Sequence, residues 1–400
     1  MNEVAIIGIG LTRWGKYPDK SVGDLAQEAV RAALQDANLT WPDIQYVVAG
    51  IDPYSGYDWL LSGTTIQRLM GYTGIPSTSL YNACASGAYT LDIGRALILS
   101  GNHDVVLCVA SFKAPGGFFP TLGIAEDPDN LDAQRFRIVG KTNPSMFAFQ
   151  AIRRMHDFGT TEADLVQIKV KNSKHGKLNP KARYQKEFTV EEIMASPMVA
   201  YPLRMYEICA TSDGAAAVIL CSGKKARKMG GKPVKLAAVY GPQPKYPNTD
   251  IGISWLSTQS EFSTPSEATR TERTHECQVV DGAFAQAGIG PEDLDFAEVY
   301  DLATSMELDW IEDIGICRPG EAEKLLWDGT TSLGGKIPIN TSGGVSSSGE
   351  SIPAQALYQV CELVTQLRGT AGPRQVNNAK VGLAINKGLG NSISCIIAKK

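Results

Sequence analysis

Leu80-Tyr81-Asn82-Ala83-Cys84-Ala85-Ser86-Gly87-Ala88-Tyr89-Thr90 is the stretch on which the reading of this chain turns. A short β-like run meets small residues around a cysteine and passes into a helical pattern that extends through Leu99. A thiol at such a strand-to-helix turn feels the positive end of the helix dipole, which favours the thiolate, and the backbone N–H groups there can receive an oxyanion. The small neighbours leave room for a substrate carbonyl. A single cysteine is also a common buried packing residue, so by itself the turn leaves Cys84 as either a nucleophile or part of the core.

Working outward, two further small-residue turns stand where they can line the same cavity. Asn340-Thr341-Ser342-Gly343-Gly344-Val345-Ser346-Ser347-Ser348-Gly349-Glu350 precedes an apolar helix, Ala354 to Leu363, and Asn386-Lys387-Gly388-Leu389-Gly390 joins two C-terminal strands. Gly8-Ile9-Gly10 lacks the third glycine of a dinucleotide loop, and Gly343-Gly344 lacks the Lys-Ser/Thr ending of a P-loop. Both nucleotide motifs are therefore rejected.

The rest of the chain alternates short β-rich runs with helical patterns, which predicts an α/β fold with buried strands. Val4 to Ile9 and Tyr46 to Ile51 read as strands, and Leu25 to Ala37 reads as a helix closed by Asn38. The stretch from Ala33, helix then small cap then acidic turn then strand, recurs from Ala283, an offset of 283 − 33 = 250. Asn82 and Asn340 start a second matching pair, offset 340 − 82 = 258. These offsets predict a duplicated α/β unit, although any two strand–helix units share some likeness.

Of 400 residues, 43% are hydrophobic and 20% charged, enough for a large core in two halves or domains. A net charge of −4 excludes a sequence-independent grip on nucleic acid. No run approaches the roughly 18 apolar residues of a membrane span, and the N-terminus lacks a signal-peptide pattern. Eight scattered cysteines without a C-x-x-C pair predict reduced thiols, a cytoplasmic location and no metal. Histidine is scarce, at four residues. Between the halves, 116–143 is rich in Gly, Pro and Asp. Residues 169–186 hold seven Lys/Arg and His175 with no acid. That run is a solvated face, or a dock for a polyanion such as the phosphates of coenzyme A.

Six motifs in order, Asn-Ala-Cys-Ala-Ser-Gly at 82–87, Lys171-Asn172 with Asn179-Pro180, Thr211-Ser212-Asp213-Gly214-Ala215-Ala216-Ala217, Val299-Tyr300-Asp301, Gly315-Ile316-Cys317 and Asn340-Thr341-Ser342-Gly343-Gly344, resemble the thiolase superfamily. Within it the chain is similar to the lipid-transfer-protein branch, near sterol carrier protein thiolases and archaeal acetoacetyl-CoA thiolases. The likeness extends to large subunits that cleave bulky aromatic 3-oxoacyl-CoAs such as benzoylsuccinyl-CoA. It implies two similar βαβαβαββ halves, 1–232 with a loop domain at about 116–190 and 233–400, in a five-layer α-β-α-β-α sandwich.

The resemblance also implies thiolysis of a 3-oxoacyl-CoA, with coenzyme A as co-substrate and no permanently bound cofactor. A homodimer is expected, enlarged by a small partner subunit with an OB-fold and a zinc ribbon. Cys84 takes the position of the nucleophile that carries the acyl group. The other catalytic slots depart from the family. Tyr300-Asp301-Leu302-Ala303 replaces Asn-Glu-Ala-Phe or His-Asp-Cys-Phe, Gly349-Glu350-Ser351 replaces Gly-His-Pro, and Asn386-Lys387-Gly388 replaces Cys-x-Gly. None of the four histidines falls in a motif slot.

Glu350 is thus the candidate base, since a carboxylate screened from water has its pKa raised toward neutrality; it is alternatively an acid near the start of the next helix. Tyr300 either donates a hydrogen bond to a thioester oxygen or enolate, or packs as a ring with a satisfied hydroxyl. Asn386 can hydrogen-bond but not shuttle a proton. The oxyanion hole is expected from the N–H groups of Cys84 and Gly388 or Gly390. Lys171, Lys174, His175, Lys177, Lys181 and Arg183 are the candidate coenzyme A contacts. Three other readings remain: a retro-aldolase acting on a β-hydroxyacyl-CoA such as a steroid side chain, a coenzyme A-independent C-acyltransferase of the phloroglucinol type, whose members keep a histidine at the Glu350 position, and a non-catalytic acyl- or lipid-binding subunit.

Overall fold

A computed structural model describes residues 3–115, 142–244, 274–388 and 391–400, so Gly390 and most of the 116–143 stretch lie outside the described residues. The N-terminal elements are β1 (Val4–Leu11), α1 (Val22–Asp36), β2 (Tyr46–Gly50), α2 (Ser62–Met70), β3 (Ser77–Leu80), α3 (Ser86–Leu99) and β4 (Val105–Phe112). Two helices, α4 (Asn143–Phe158) and α5 (Glu162–Lys177), come before β5 (Gly214–Ser222). The second series is β6 (Val234–Tyr240), α6 (His275–Ala287), β7 (Phe296–Glu298) and α7 (Thr304–Asp313). It ends with the one-turn α8 (Gly344–Ser348), α9 (Gln355–Arg368), β8 (Val381–Lys387) and β9 (Ile393–Lys399).

These nine strands form one sheet in the order β3-β2-β4-β5-β1-β6-β9-β8-β7. Reading outward from the antiparallel β1–β6 junction, each side runs first strand, last strand, penultimate strand, second strand. The parallel pairs β2–β4 and β7–β8 correspond, as do the antiparallel pairs β4–β5 and β8–β9. The N-terminal side ends in β3, whereas its counterpart shrinks to one parallel bridge between Ala297 and Ile339.

The repeat at offset 250 reaches the level of backbone dihedrals. Asn38 and Gly288 both close their helices with φ near +60° (52° and 66°), and a one-turn 3-10 helix follows each, Trp41–Asp43 and Pro291–Asp293. Either turn is tied by an Asp: Asp43 accepts from Thr40 N–H at 2.8 Å and Asp293 from Gly290 N–H at 3.0 Å. A small or Asx residue is needed where the chain turns left-handed, which is why the pattern was visible in the sequence.

The core explains the layering. One sheet face, with Val106, Val218, Leu236 and Ile396, packs on Leu91 of α3 and Leu357 and Val360 of α9. The opposite face is covered by α1 over the N-terminal strands and by α6 over the C-terminal ones. Helix, half-sheet, helix pair, half-sheet and helix make the expected five layers. Gly8 and Gly10 serve this packing: a Cβ at Gly10 would sit 1.9 Å from Ala29 O, and one at Gly8 2.4 Å from Ala33 O. Their spacing is a helix-on-strand contact and not a nucleotide loop.

Candidate active site

β3 ends at Leu80 and α3 begins at Ser86, leaving Tyr81 to Ala85 to make the turn. Ala83, directly before Cys84, lies in the left-handed region at φ 48°, a conformation that costs an L-residue about 1–2 kcal/mol. The turn is held by Ser86, whose Oγ accepts from Asn82 N–H at 2.8 Å and donates to Ala83 O at 2.6 Å. The elbow half-exposes Cys84 while its neighbours Ala83 and Ala85 are buried. Gly388 backs onto this turn, because a Cβ there would come 2.2 Å from Asn82 O.

The second element of the site arrives from the C-terminal half. Glu350 follows α8, which is capped by Gly349 at φ 77°; a Cβ at Gly349 would meet Ser212 Oγ at 2.2 Å and Ala210 O at 2.6 Å. Bare backbone at that point lets Glu350 N–H donate to Ala210 O (2.8 Å) and Ser212 N–H donate to Glu350 O (2.7 Å). Asp301 fixes the start of α8 by accepting from Val345 N–H at 2.6 Å, and also accepts from Asn172 Nδ2 at 3.0 Å. Burial raises the Asp301 carboxyl to about 7, with nearby Glu307 adding to the rise.

Three groups converge on the buried Glu350 carboxylate. Tyr300 O–H donates to Oε1, the Cys209 thiol donates to Oε2 at 3.7 Å, and the Cys84 thiol lies close enough to the same carboxylate to interact with it electrostatically. Burial raises the Glu350 pKa, and these three donors pull it partly back. The Cys84 thiol is pushed up by burial first and by the Glu350 charge second, while the Tyr300 hydroxyl offsets part of this. Cys209 is raised by the same two causes in the same order. The resting pair is thus a thiol beside a carboxylate, with the proton free to cross when sulfur attacks.

The alternative placing of Glu350 at a helix start is not the one found: its carboxylate accepts from Tyr300 and Cys209, and α9 begins at Gln355 with Ala354 as its N-cap. Tyr300 is fully buried with its hydroxyl donated to Glu350, so it is a packed ring with a satisfied hydroxyl whose partner is the candidate base. Asn386 does not join the cluster: its Nδ2 donates to Gln359 Oε1 at 3.2 Å, and its buried Oδ1 has no partner among the described residues. The Gly388 N–H donates to Ser392 O at 2.8 Å. It is therefore committed within the chain and cannot serve the oxyanion hole; Gly390 lies outside the described residues.

Cys209 was missed in the sequence. Its signal was only its place two residues before Thr211-Ser212, and nothing local separates it from a packing cysteine. Tyr54 and Tyr81 were missed too. Burial raises both hydroxyls, Tyr54 to about 12, and the charges of Cys84 and Glu350 add to the rise, which places both rings beside the site.

The six basic candidates scatter. Lys171 is buried in an ion pair with Glu307 (2.6 Å), and His175 is locked between Asn340 O and the Leu333 N–H, each at 3.0 Å. Leu333 N–H donates to His175 Nε2, so the ring proton sits on Nδ1 and the ring stays neutral; burial lowers its pKa to about 3. Neither residue offers charge to an external phosphate. Lys181 Nζ donates to Leu11 O at 2.6 Å and lines a cavity of about 310 Å³ with Asn179, Glu362 and Arg374. Arg183 donates to Thr211 O at 2.5 Å and Ser212 Oγ at 3.2 Å. Lys174 and Lys177 are exposed, Lys177 pairing with Glu187 at 3.1 Å.

Residues 257–398 match the family described as Thiolase C-terminal domain-like. Over 393 residues the chain is 35% identical to an acetyl-CoA acetyltransferase of Methanothermobacter thermautotrophicus, covering 97% of each. It is 32% identical to Sterol carrier protein 2 of Bos taurus, over all of this chain and 72% of that one. More distant, at 28% over 94% of this chain and 91% of the relative, is benzoylsuccinyl-CoA thiolase subunit BbsB of Thauera aromatica. Among solved structures, an Ltp2-ChsH2(DUF35) aldolase superposes with TM-score 0.83 at 25% identity, covering 99% of this chain and 97% of that one. Human mitochondrial 3-ketoacyl-CoA thiolase in complex with CoA gives TM-score 0.71 at 16% identity over 100% and 98%, a likeness of fold.

The chain belongs to the thiolase superfamily, in its sterol-carrier-protein branch. It is an acyltransferase with thiolase-type activity on acyl-CoA. Among the described residues no helix is long and apolar enough to cross a membrane.

Proposed function

We propose that the protein cleaves a 3-oxoacyl-CoA by thiolysis through an acyl-Cys84 intermediate, without a histidine. The observation that carries this is the buried Glu350 carboxylate, hydrogen-bonded to Tyr300 and in electrostatic reach of the Cys84 thiol. Glu350 takes the Cys84 proton as sulfur attacks the 3-oxo carbon, and the C2–C3 bond breaks to leave an acyl-CoA enolate. Tyr300 donates to Glu350 and holds the carboxylate in place, and the Cys84 N–H supplies the oxyanion hole. Glu350 then deprotonates the incoming coenzyme A, whose thiolate releases the acyl group from Cys84.

Coenzyme A is a co-substrate and no cofactor is permanently bound. The two halves divide at 232/233. The exposed Lys174 and Lys177 remain as docking charges for coenzyme A. The acyl chain is bulky, an aromatic such as benzoylsuccinyl-CoA included; the likeness to a benzoylsuccinyl-CoA thiolase subunit supports this. The subunit naming of that relative and the DUF35-containing aldolase complex support a small OB-fold and zinc-ribbon partner bound to a homodimer of this chain. Eight free cysteines are in keeping with a cytoplasmic location. The aldolase likeness and Tyr300 favour retro-aldol cleavage as a second reading. The two separate on Cys84→Ala: thiolysis predicts loss of coenzyme A-dependent cleavage, and retained cleavage without coenzyme A would support the aldolase.

A further inference from the structure

Thiolysis leaves one proton unaccounted for. When the C2–C3 bond breaks, the enolate carbon needs an acid. Asn386, in the slot that resembles the family's second cysteine, carries no labile proton and points to Gln359. Tyr300 is bound to Glu350 Oε1. The other carboxylate oxygen, Oε2, is occupied by a thiol from a different part of the chain, Cys209 at 3.7 Å.

Cys209 is placed there by main chain and not by packing alone. Its N–H donates to Leu302 O at 2.8 Å, two residues beyond Tyr300, and Glu350 N–H donates to Ala210 O, the residue after it. The segment that carries Cys209 is therefore pinned to both catalytic loops. Like Cys84, Cys277 and Cys317 it is half-buried, while Cys108, Cys221, Cys361 and Cys395 are sealed in the core. A thiol placed on the carboxylate of the candidate base is an unusual use of a packing residue.

We propose that Cys209 is a further catalytic residue, the acid–base group that gives the proton to the substrate α-carbon in cleavage and takes it in the reverse direction. The assignment rests on the thiolysis reading above. In cleavage, Glu350 first holds the Cys84 proton. The enolate carbon then takes the Cys209 S–H proton, forming the new C–H bond and leaving the Cys209 thiolate. Glu350 passes its proton across the Oε2 contact to that thiolate and becomes free to deprotonate coenzyme A. The proton taken from coenzyme A returns to Cys84 as its thioester breaks. Every group ends as it began, and no outside oxidant or acid is needed. Burial keeps Cys209 protonated at rest, the state a proton donor requires.

The test separates acyl transfer from carbon chemistry. Wild type, Cys209→Ala and Cys209→Ser are mixed with acetyl-CoA; intact mass reads acetyl transfer to the protein, and deuterium uptake at the acetyl methyl in D2O reads proton exchange. Both variants should lose exchange at least tenfold more than they lose acetylation, because a serine hydroxyl fills the space yet is too weak an acid. Exchange within twofold of wild type in Cys209→Ala, or its rescue by Cys209→Ser, would overturn the assignment, as would equal loss of acetylation and exchange in both variants. Wild type that takes no acetyl group would instead count against the thiolysis reading.

Discussion

Cys84, Glu350 and Tyr300 form a unit in which each group sets the state of the others. Removing the carboxylate leaves the Cys84 thiol with no base, so Glu350→Gln should lower kcat about 10²–10⁴-fold. The sign of the pH effect follows from burial, which raises the Glu350 pKa. Activity should climb as pH rises through that value, since only the carboxylate accepts a proton, and the climb should vanish in Glu350→Gln; an unchanged kcat–pH profile in the variant would oppose the role. At this scale the sequence was partly legible. Cys84 announced itself through the small residues that its left-handed neighbour and the close-lying Gly388 demand. Glu350 was legible only against a family pattern, because nothing local distinguishes a base from a surface acid. Cys209 was silent because its partner lies 141 residues away.

At the scale of elements, the site depends on turns that bring strands from both halves to one point. Gly349 has φ 77° and faces Ser212 at a distance no Cβ tolerates. Gly349→Ala should cost more than about 2 kcal/mol from the left-handed backbone and the clash, read as a lowered Tm, and should lower activity further by shifting Glu350. An unchanged Tm would mean the loop is looser than described. Helix α5 shows where reading by composition misled. Its lysines looked like a charged face because no acid stands within 169–186, yet Lys171 finds Glu307 136 residues later. Lys171→Met should therefore destabilise the fold by about 3–5 kcal/mol by stranding a buried carboxylate. In whatever protein folds, the KM for coenzyme A should stay within about twofold; a large KM rise at unchanged Tm would restore Lys171 as a ligand.

Across the whole molecule, duplication gives two half-sheets that share α3 and α9 as a common middle layer, and the site sits where the two halves' turns meet. The offsets of 250 and 258 were readable because left-handed caps and turns constrain residue type. The shrinkage of the fourth-quarter strand to a single bridge was not, since Pro338-Ile339-Asn340 still looks like a strand end. Burying so many carboxyls also sets the stability profile. Glu298 is raised to about 8 and Asp301 to about 7, burial first in each and a neighbouring acid second. Raised carboxyl pKa values mean that the folded state holds protons the unfolded state has lost, so this stability is lost as pH rises through them. His175, lowered to about 3, acts only below its ordinary value. Tm should therefore fall between about pH 6.5 and pH 8; a rising Tm over that window would show these carboxyls to be ionised in the fold.

The central claim is a covalent acyl-thioester on Cys84, and mass spectrometry of the intact protein after mixing with a 3-oxoacyl-CoA reads it directly. The account predicts a mass gain equal to the acyl group, mapped to the peptide carrying Cys84, removed by added coenzyme A and absent from Cys84→Ala. Turnover of that substrate with no acyl group ever detected on Cys84, or with the group on another residue, would contradict it.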